Sequence, residues 1–307
     1  MVSFPRSKQN SLLTMYDLPS EEVGEPGLPD EFHPLQALLL RKTFQPRRYW
    51  PDRVLSAMDL NVYYDVQHPL WYKRPDWFGV VGVSRLYEEQ DLRWSYVIWQ
   101  EKVSPIIVVE LLSPGTEAED LGQTVRKANE PPTKWEVYEQ ILQVPYYVVY
   151  ERYEHQFRAF HLERDRAHPT KPYRYQALAL PDQRLWLQEL ELGLGVWQGN
   201  YESYDGLWLR FYQASGLWIP TSEEQAEQEK AAKEQQRQRA ERQKKRANRL
   251  KQRAEQQQQR ADLEQQRAEQ QQQRADLEQQ RADRAEEELQ ALRACLQERG
   301  IDPDTLL

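Results

Sequence analysis

One acid, Glu110, stands inside the apolar run IIVVELL at residues 106–112. A short run of β-branched and aliphatic residues that is apolar on both faces predicts a central strand covered on both sides. An unpaired carboxylate buried in such a strand would be strongly destabilising. We therefore expect Glu110 to be protonated, to form an internal ion pair with an Arg or Lys, or to bind a metal ion.

A second acid, Asp76, follows Pro75 and directly precedes the apolar run FGVVGV at residues 78–83, which also predicts a strand. Alone, a Pro-Asp pair indicates only a turn. Two acids at the ends of neighbouring strands could hold Mg²⁺, which takes hard oxygen ligands and keeps waters for a substrate phosphate. Such a site would lower the pKa of a bound water, and a nearby ammonium would stabilise the developing charge.

Three stretches that follow one another in the chain resemble the Uma-two family of proposed bacterial restriction endonucleases: RPDWFGVVGV, VVELLSPGTEAEDLG and KWEVYEQILQVPYYVVY. The resemblance covers about residues 30–215. It implies a restriction-endonuclease-like fold and a PD-(D/E)xK active site that uses Mg²⁺ or Mn²⁺. In that site Asp76 and Glu110 are expected to bind the metal, and Lys134 is expected to position the attacking water.

The position of the lysine departs from the simplest form of that motif, in which it lies two residues after the second acid. Leu112 occupies that place here. The resemblance implies instead that Lys134 reaches the acids from the following helix, with Tyr138 one turn further on, and a helix N-terminus also favours a bound phosphate. The alternatives are that Lys134 is a solvated helix lysine, or that Arg126 or Lys127 takes its role.

Three further polar residues are candidates for supporting roles. Asp120 is either a third acid near the site or a helix cap. His33 and Gln36 lie where members of the family often carry a similar pair, which implies a role in orienting a ligand or water; for His33 the alternative is a surface or capping residue. The spacing of the five His and one Cys residues offers no tetrahedral zinc site, and the glycines form no phosphate-binding loop.

The elements that must position these residues follow a mixed α/β pattern. Helices are predicted over residues 32–43 and 133–142, the second beginning in a capping box of Thr133 and Glu136. The strand after this helix is expected to pair beside the strand of Glu110 through a crossover. We predict an α/β fold of the restriction-endonuclease-like type, a mixed β-sheet flanked by helices. Strands are predicted over residues 60–64, 78–83, 95–99, 106–112, 146–150 and 157–161, with outer strands at 173–178 and 207–212.

Composition divides the chain near Pro220, because all 10 Trp and all 17 Tyr precede it. Residues 1–30 are predicted to be a flexible lead-in, and residues 31–219 a single domain able to bury a core. Residues 220–307 are rich in Gln, Glu, Arg and Ala, which favour helix. They predict a helical tail on the order of 120 Å long.

The tail carries a seven-residue repeat in which Ala recurs from Ala247 to Ala282, each after an Arg. Such a period is typical of a coiled coil, although most positions three residues after each Ala are polar. A ladder at the end of the tail supports a coiled coil and a homodimer; the alternatives are a solvated single helix and a partly disordered arm. Residues 237–253, with nine basic residues and one acid, could follow a DNA backbone or be one charged section of a helix. The ladder comprises Ala282, Ala285, Leu289, Leu292 and Leu296.

The formal net charge of the chain is −8. The tail from Thr221 contributes −1, so the preceding part carries −7. An acidic domain lacks a bulk phosphate-binding surface, so a role with nucleic acid must depend on a local site. A single cysteine, no apolar signal core and no apolar run of about 20 residues together predict a cytoplasmic protein without a membrane segment.

These observations lead to two hypotheses. The first is a metal-dependent endonuclease that hydrolyses phosphodiester bonds in a nucleic acid, with DNA as the expected substrate. The second is a catalytically inactive protein that keeps the nuclease fold and binds or recruits partners through its tail.

Overall fold

The computed structural model describes Leu18 and residues 29–113, 115–127 and 130–300. Most of the predicted lead-in, residues 1–30, lies outside these described residues. The chain divides into two compact units, Met1–Ala226 and Glu227–Leu307. The predicted domain limits at residues 30 and 219 stay predictions.

The first unit combines strands with short helices, as the sequence predicts. In chain order, the helices of the described residues are α1 (Phe32–Thr43), α2 (Ile98–Glu101), α3 (Glu117–Asp120), α4 (Lys134–Glu136) and α5 (Ser222–Glu298). The strands are β1 (Val54–Met58), β2 (Val62–Tyr63), β3 (Tyr72–Lys73), β4 (Trp77–Val81), β5 (Tyr96–Val97), β6 (Ile107–Leu111), β7 (Tyr146–Glu151), β8 (Gln156–Arg164), β9 (Tyr173–Ala177), β10 (Arg184–Leu187), β11 (Leu192–Tyr201) and β12 (Tyr204–Tyr212).

A six-stranded mixed sheet forms the centre of this unit, in the order β1-β4-β6-β7-β8-β9. Its one parallel pair in the described residues is β6 with β7, in which Glu110 lies opposite Val149. The chain between these strands passes through α3 and α4, so the predicted crossover is confirmed. All five residues of β6 are buried, as expected for a central strand that is apolar on both faces.

Both faces of the sheet are covered, and alternation along β6 decides what each side chain meets. Val109 and Leu111 pack in a core cluster with α1 and with a second sheet of order β10-β11-β12. Val108 and Leu112 pack in another cluster with the residues that follow α4. A third sheet, of order β3-β2-β5, contributes to this cluster. Glu110 shares the alternation of Val108 and Leu112, which turns its side chain towards α4.

Several predicted elements have the expected limits and others do not. The helix over residues 32–43 and the capping box of Thr133 with Glu136 are confirmed. The prediction of a strand over residues 95–99 is wrong after Val97, because the chain continues into α2. This helix ends at Lys102, which has a left-handed backbone conformation. The helix predicted to Leu142 is α-helical only from Lys134 to Glu136 and continues from there as a π-helical turn, Val137–Ile141. The sequence analysis missed β1, β3, β10 and β11.

The tail helix α5 spans Ser222–Glu298, which confirms the prediction of a helical tail. Its side chains are nearly all exposed, including Leu289 at 53% and Leu292 at 65%. The coiled coil and the homodimer stay predictions. Among the residues that the structure describes, no helix has both the length and the apolar character required to cross a bilayer.

Candidate active site

The candidate site lies where β4 and β6 part. Their antiparallel pairing joins Gly79 to Ile107, Phe78 to Val108 and Trp77 to Val109, and goes no further. The next residues outward are Asp76 and Glu110, so the two acids singled out by sequence occupy a fork between adjacent strands. Antiparallel pairing with a common register brings them together although 33 residues separate them in the chain.

Side chains replace the missing strand pairing at this fork. The backbone N–H of Leu111 donates to Asp76 Oδ2 at 2.6 Å. In return, the backbone N–H of Asp76 donates to Glu110 Oε2 at 3.3 Å. Each acid therefore satisfies a backbone donor of the opposite strand, which a strand end buried in a layered fold requires.

Lys134, at the first turn of α4, reaches both Glu110 and a third acid. Its Nζ lies 2.6 Å from Asp120 Oδ1 and 3.1 Å from Glu110 Oε2. The side chains of Glu110 and Asp120 are fully buried, and that of Lys134 is 15% exposed. Lys134 is thus not a solvated helix lysine, because it contacts both buried acids. Asp120 lies beside Glu110 as a third acid and is not a helix cap.

Tyr138 lies four residues after Lys134, and its hydroxyl donates to Glu110 Oε1 at 2.9 Å. Residues four apart share a helix face, so both groups approach Glu110 from the same side. Tyr138 lies in the π-helical turn that follows α4. Such turns are rare and occur frequently at functional sites.

Glu119 fixes the start of α4 and was not predicted from the sequence. Its Oε1 accepts from the backbone N–H of Lys134 at 2.7 Å and from Lys73 Nζ at 3.2 Å. Its Oε2 accepts from Arg126 at 2.8 Å. A carboxylate at this position accepts a hydrogen bond from a backbone N–H that has no partner within the helix, and its negative charge is favourable at the helix N-terminus.

The three cations considered for the lysine role have different partners in the structure. Arg126 forms its ion pair with Glu119 rather than with Glu110 or Asp120. Lys127 is exposed, and its backbone N–H donates to Glu130. Of the three cations considered, Lys134 alone contacts the buried acids.

His33 approaches the fork from α1, on the opposite face of the sheet. Its Nδ1 lies 2.7 Å from Asp30 Oδ1 and its Nε2 lies 3.2 Å from the carbonyl oxygen of Leu111. Both partners are acceptors, so only the doubly protonated ring donates to both. Burial alone would lower the pKa of His33, but the hydrogen bond to Asp30 and the charges of Asp76 and Asp30 outweigh it, and the pKa is raised.

Asp76, Glu110 and Asp120, with Lys134 between them, form what we call the acid cluster. Gln36 is fully buried, but the structure does not bring it into this cluster. Its side-chain amide donates to the carbonyl oxygen of Leu209 and accepts from the N–H of Leu209, both at 2.8 Å. Gln36 therefore pairs with the free edge of β12, as a neighbouring strand would.

Burial and like charge set the protonation of the cluster. Burial raises the pKa of Glu110 to about 8, with Asp120 and Asp76 adding to the shift and Lys134 opposing it. Burial also raises the pKa of Asp76 to about 6, against the charges of Lys134 and His33. Burial would lower the pKa of Lys134, but the three acids outweigh it and raise the pKa. The ammonium therefore stays charged while the acids compete for a proton.

Asp76 and Glu110 together offer carboxylate oxygens, which Mg²⁺ prefers. Within the described residues, Asp76 Oδ1 accepts no hydrogen bond, whereas both oxygens of Glu110 are in contact with other groups. No group of three or more His, Cys, Asp or Glu in the described residues is arranged to hold a metal ion. The donor set fits a hydrated Mg²⁺ or Mn²⁺ on two carboxylates, and does not fit a metal cage made only of side chains.

Comparison with known proteins identifies a family for the first unit. The family model Uma2, described as "Putative restriction endonuclease", matches residues 10–198, more than half of the chain. The match includes every residue of the acid cluster and ends before β12 and α5. A search of curated proteins found no match. The resemblance drawn from the motifs is confirmed.

Proposed function

Because the chain belongs to the Uma2 family, we propose that its first unit is a metal-dependent endonuclease that hydrolyses phosphodiester bonds in DNA. One observation carries the proposal: Lys134 Nζ contacts Glu110 and Asp120 at the fork occupied by Asp76. Two carboxylates and an ammonium are the groups that the PD-(D/E)xK chemistry needs. Their convergence from β4, β6 and α4 restores the motif despite Leu112 at the usual lysine position.

In this mechanism Asp76 and Glu110 would hold the divalent ion. The ion, when bound, would offset phosphate charge and lower the pKa of a bound water. Tyr138 holds one oxygen of Glu110 and so fixes the orientation of the carboxylate. Glu110 is fully buried, whereas Asp76 is partly exposed, so substrate reaches the site from the side of Asp76.

Lys134 acts as a cation in this proposal, since its pKa is raised by the acids around it. A charged ammonium orients water and stabilises negative charge on the reacting phosphate, but it does not abstract a proton at neutral pH. The attacking water would therefore lose its proton to an acceptor other than Lys134.

Cleavage of plasmid DNA in the presence of Mg²⁺ or Mn²⁺ tests the proposal. Glu110→Gln removes one ligand charge with little change in volume, and the cleavage rate is expected to fall about 100-fold or more. The matched control is Glu139→Gln. Glu139 is also a buried glutamate, but it accepts from the backbone N–H of Tyr175 outside the cluster.

The expected result is cleavage by the wild type and by the Glu139 variant, loss of cleavage in the Glu110 variant, and none in any sample with EDTA. Equal cleavage by wild type and Glu110→Gln would refute the site assignment. Cleavage that persists in EDTA would refute the metal dependence.

Lys134 already forms ion pairs with Glu110 and Asp120 without a metal ion. This favours a second candidate function, a protein that keeps the nuclease fold as a binding module without turnover. In that case the cluster would be a structural ion pair only. Thermal unfolding with and without Mg²⁺ or Mn²⁺ separates the two. A divalent ion that binds the folded state raises the melting temperature, and the absence of any such shift would favour the binding module.

A further inference from the structure

The tail helix α5 contains one strongly basic segment between two acidic ones. Residues 237–253 hold nine basic residues and one acid, a net charge of +8. Residues 221–236 carry −3 and residues 254–299 carry −4. All residues from 237 to 253 are exposed in a continuous helix. The contrast in charge is therefore presented to solvent over a short length of helix.

Five arginines form a stripe along one face of this segment: Arg239, Arg242, Arg246, Arg249 and Arg253. Their alternating spacing of three and four residues keeps them on one face, and the stripe extends about 21 Å along the axis. None has an acid three or four residues away in either direction. The two ion pairs that touch the segment use Lys245, 2.8 Å from Glu241, and Lys251, 3.9 Å from Glu255.

Three further cations lie on the opposite face. Arg237, Lys244 and Lys251 recur every seven residues, and at about 100° per residue they point roughly 180° away from the centre of the stripe. An α-helix with side chains is about 10–12 Å wide, which matches the width of about 12 Å of the B-DNA major groove. A helix seated there has phosphates on both sides, so cations on two opposite faces suit it.

The segment does not suit other anionic partners as well. Its apolar residues are Ala240, Ala247 and Leu250, too few for a face that inserts into a lipid surface or a peptide groove. The major groove of A-form RNA is deep and narrow, and side chains do not enter it readily. Duplex DNA is therefore the polyanion that the charge distribution favours.

We propose that residues 237–253 are a DNA-binding helix that lies in the major groove and contacts the phosphates of both strands. The proposal goes beyond the cleavage proposed above, since it requires neither a metal nor any residue of the acid cluster. It also supplies what the first 220 residues lack, because their net charge of −7 would not attract a polyanion.

Binding of the full chain to a 30-base-pair duplex in EDTA, measured by fluorescence anisotropy at several salt concentrations, tests the proposal. The test variant replaces the five arginines of the stripe with Gln, a residue that keeps helix propensity. Loss of five phosphate contacts is expected to reduce the slope of log affinity against log salt by about 4.5. The affinity is expected to fall on the order of 100-fold at 0.15 M salt.

A matched control removes the same charge from elsewhere in the same helix. Every arginine of the control set has an acid three or four residues away, such as Glu264 or Glu278, and its replacement is expected to weaken binding less than about threefold. Circular dichroism of both variants checks that the helix is retained. The control variant carries Arg→Gln at Arg260, Arg267, Arg274, Arg281 and Arg284.

Three outcomes would overturn the proposal. Equal losses in the two variants would show that only total charge matters. Unchanged binding in the test variant, with helix content retained, would show that the stripe does not bind DNA. Equal affinity of the wild type for duplex RNA would contradict seating in the DNA major groove. None of these outcomes bears on cleavage, because EDTA excludes the metal-dependent reaction.

Discussion

The ammonium of Lys134 is shared by two carboxylates that solvent does not reach, and this burial determines how much the contact contributes. An exposed ion pair contributes about 0–1 kcal/mol. Removing one partner of a buried pair costs about 3–5 kcal/mol, because a charge is left uncompensated. The burial of these acids in their ionised form therefore depends on Lys134.

Glu110 gives the metal-free protein a pH dependence of known sign. Its pKa is raised from 4.5 to about 8 on folding, mainly by burial, so the folded state holds a proton that the unfolded state has lost. Stability is fully present below pH 4.5 and falls as pH rises towards 8, by up to roughly 1.4 kcal/mol per pH unit. Urea unfolding in EDTA between pH 5 and 8 measures this slope.

Glu110→Gln is expected to flatten the slope of stability against pH, because the amide does not titrate. An unchanged slope in the Glu110 variant would show that this carboxyl is ionised in the folded protein at all of these pH values.

At the residue scale, the sequence predicts Asp76 and Glu110 from burial and strand ends, and Lys134 through the family motif. Glu119 and Asp30 could not be predicted, because their roles arise from contacts that sequence spacing does not encode. Glu119 accepts from Lys73, 46 residues earlier, and Asp30 contacts His33 and Arg152, the latter far along the chain. Gln36 was predicted to support the site, but its buried side chain forms hydrogen bonds with the edge of β12 instead.

The connection between β6 and β7 is the element that assembles the site. It carries α3, which supplies Glu119 and Asp120, and α4, which supplies Lys134. Gly122 lies between these helices with φ +68°, and a Cβ at this position would meet the ring of Trp135 at 2.8 Å. Trp135 in turn packs edge-on against Tyr147 and Phe160 of the sheet. The glycine thus allows the connection to lie close to the core.

Gly122→Ala is expected to destabilise the first unit by about 2–4 kcal/mol, from the left-handed backbone and the clash with a ring that is packed against the sheet. Gly82→Ala is the matched control. Gly82 also has positive φ, at +85°, but a Cβ there meets nothing within 4 Å, so about 1–2 kcal/mol is expected. Urea denaturation of both variants measures the difference. Equal losses would mean that the contact with Trp135 contributes nothing.

At the element scale, the parallel crossover was predictable because strand, capping box, helix and strand follow one another with clear signals. The strand β11 was not, because Gly193, Gly195 and Gly199 break the β-branched pattern that indicates strand. Packing explains two of these glycines: a Cβ at Gly193 would overlap the ring of Tyr212 on the paired strand β12, and one at Gly199 would overlap Trp197, two residues earlier in the same strand. The sequence does not reveal the first of these contacts.

At the scale of the whole molecule, the chain consists of an aromatic-rich part that buries a core and a charged helical tail that is exposed. Residues before Pro220 hold all the Trp and Tyr, bury the core and carry most of the negative charge. The tail buries almost nothing, and its order comes from helix propensity and pairs four residues apart, such as Gln258 with Asp262. Composition alone predicts this division, because it needs no knowledge of long-range contacts.

The apolar ladder at the end of α5 predicts a homodimer of the full chain. Leu289→Gln with Leu292→Gln is expected to convert the dimer to a monomer, because two apolar side chains of the seam are lost from each copy. Leu263→Gln with Leu277→Gln is the control, since these leucines are similarly exposed, at 50% and 51%, but lie off the ladder. Sedimentation with Cys295 kept reduced measures the mass.

A monomeric wild type at all concentrations would refute the predicted homodimer. Dissociation by both double variants alike would place the contact outside the ladder. A chain ending at Pro220 is expected to be monomeric in either case, so its association would assign the interface to the first unit.

The carboxylate of Asp76 accepts a hydrogen bond from the backbone N–H of Leu111, as a carbonyl oxygen of a paired strand would. It thereby continues the pairing of β4 with β6 beyond the last backbone pair. The β4–β6 junction therefore depends on this side chain whether or not a metal ion is bound. A change at Asp76 would disturb the packing of two adjacent strands together with any chemistry of the site.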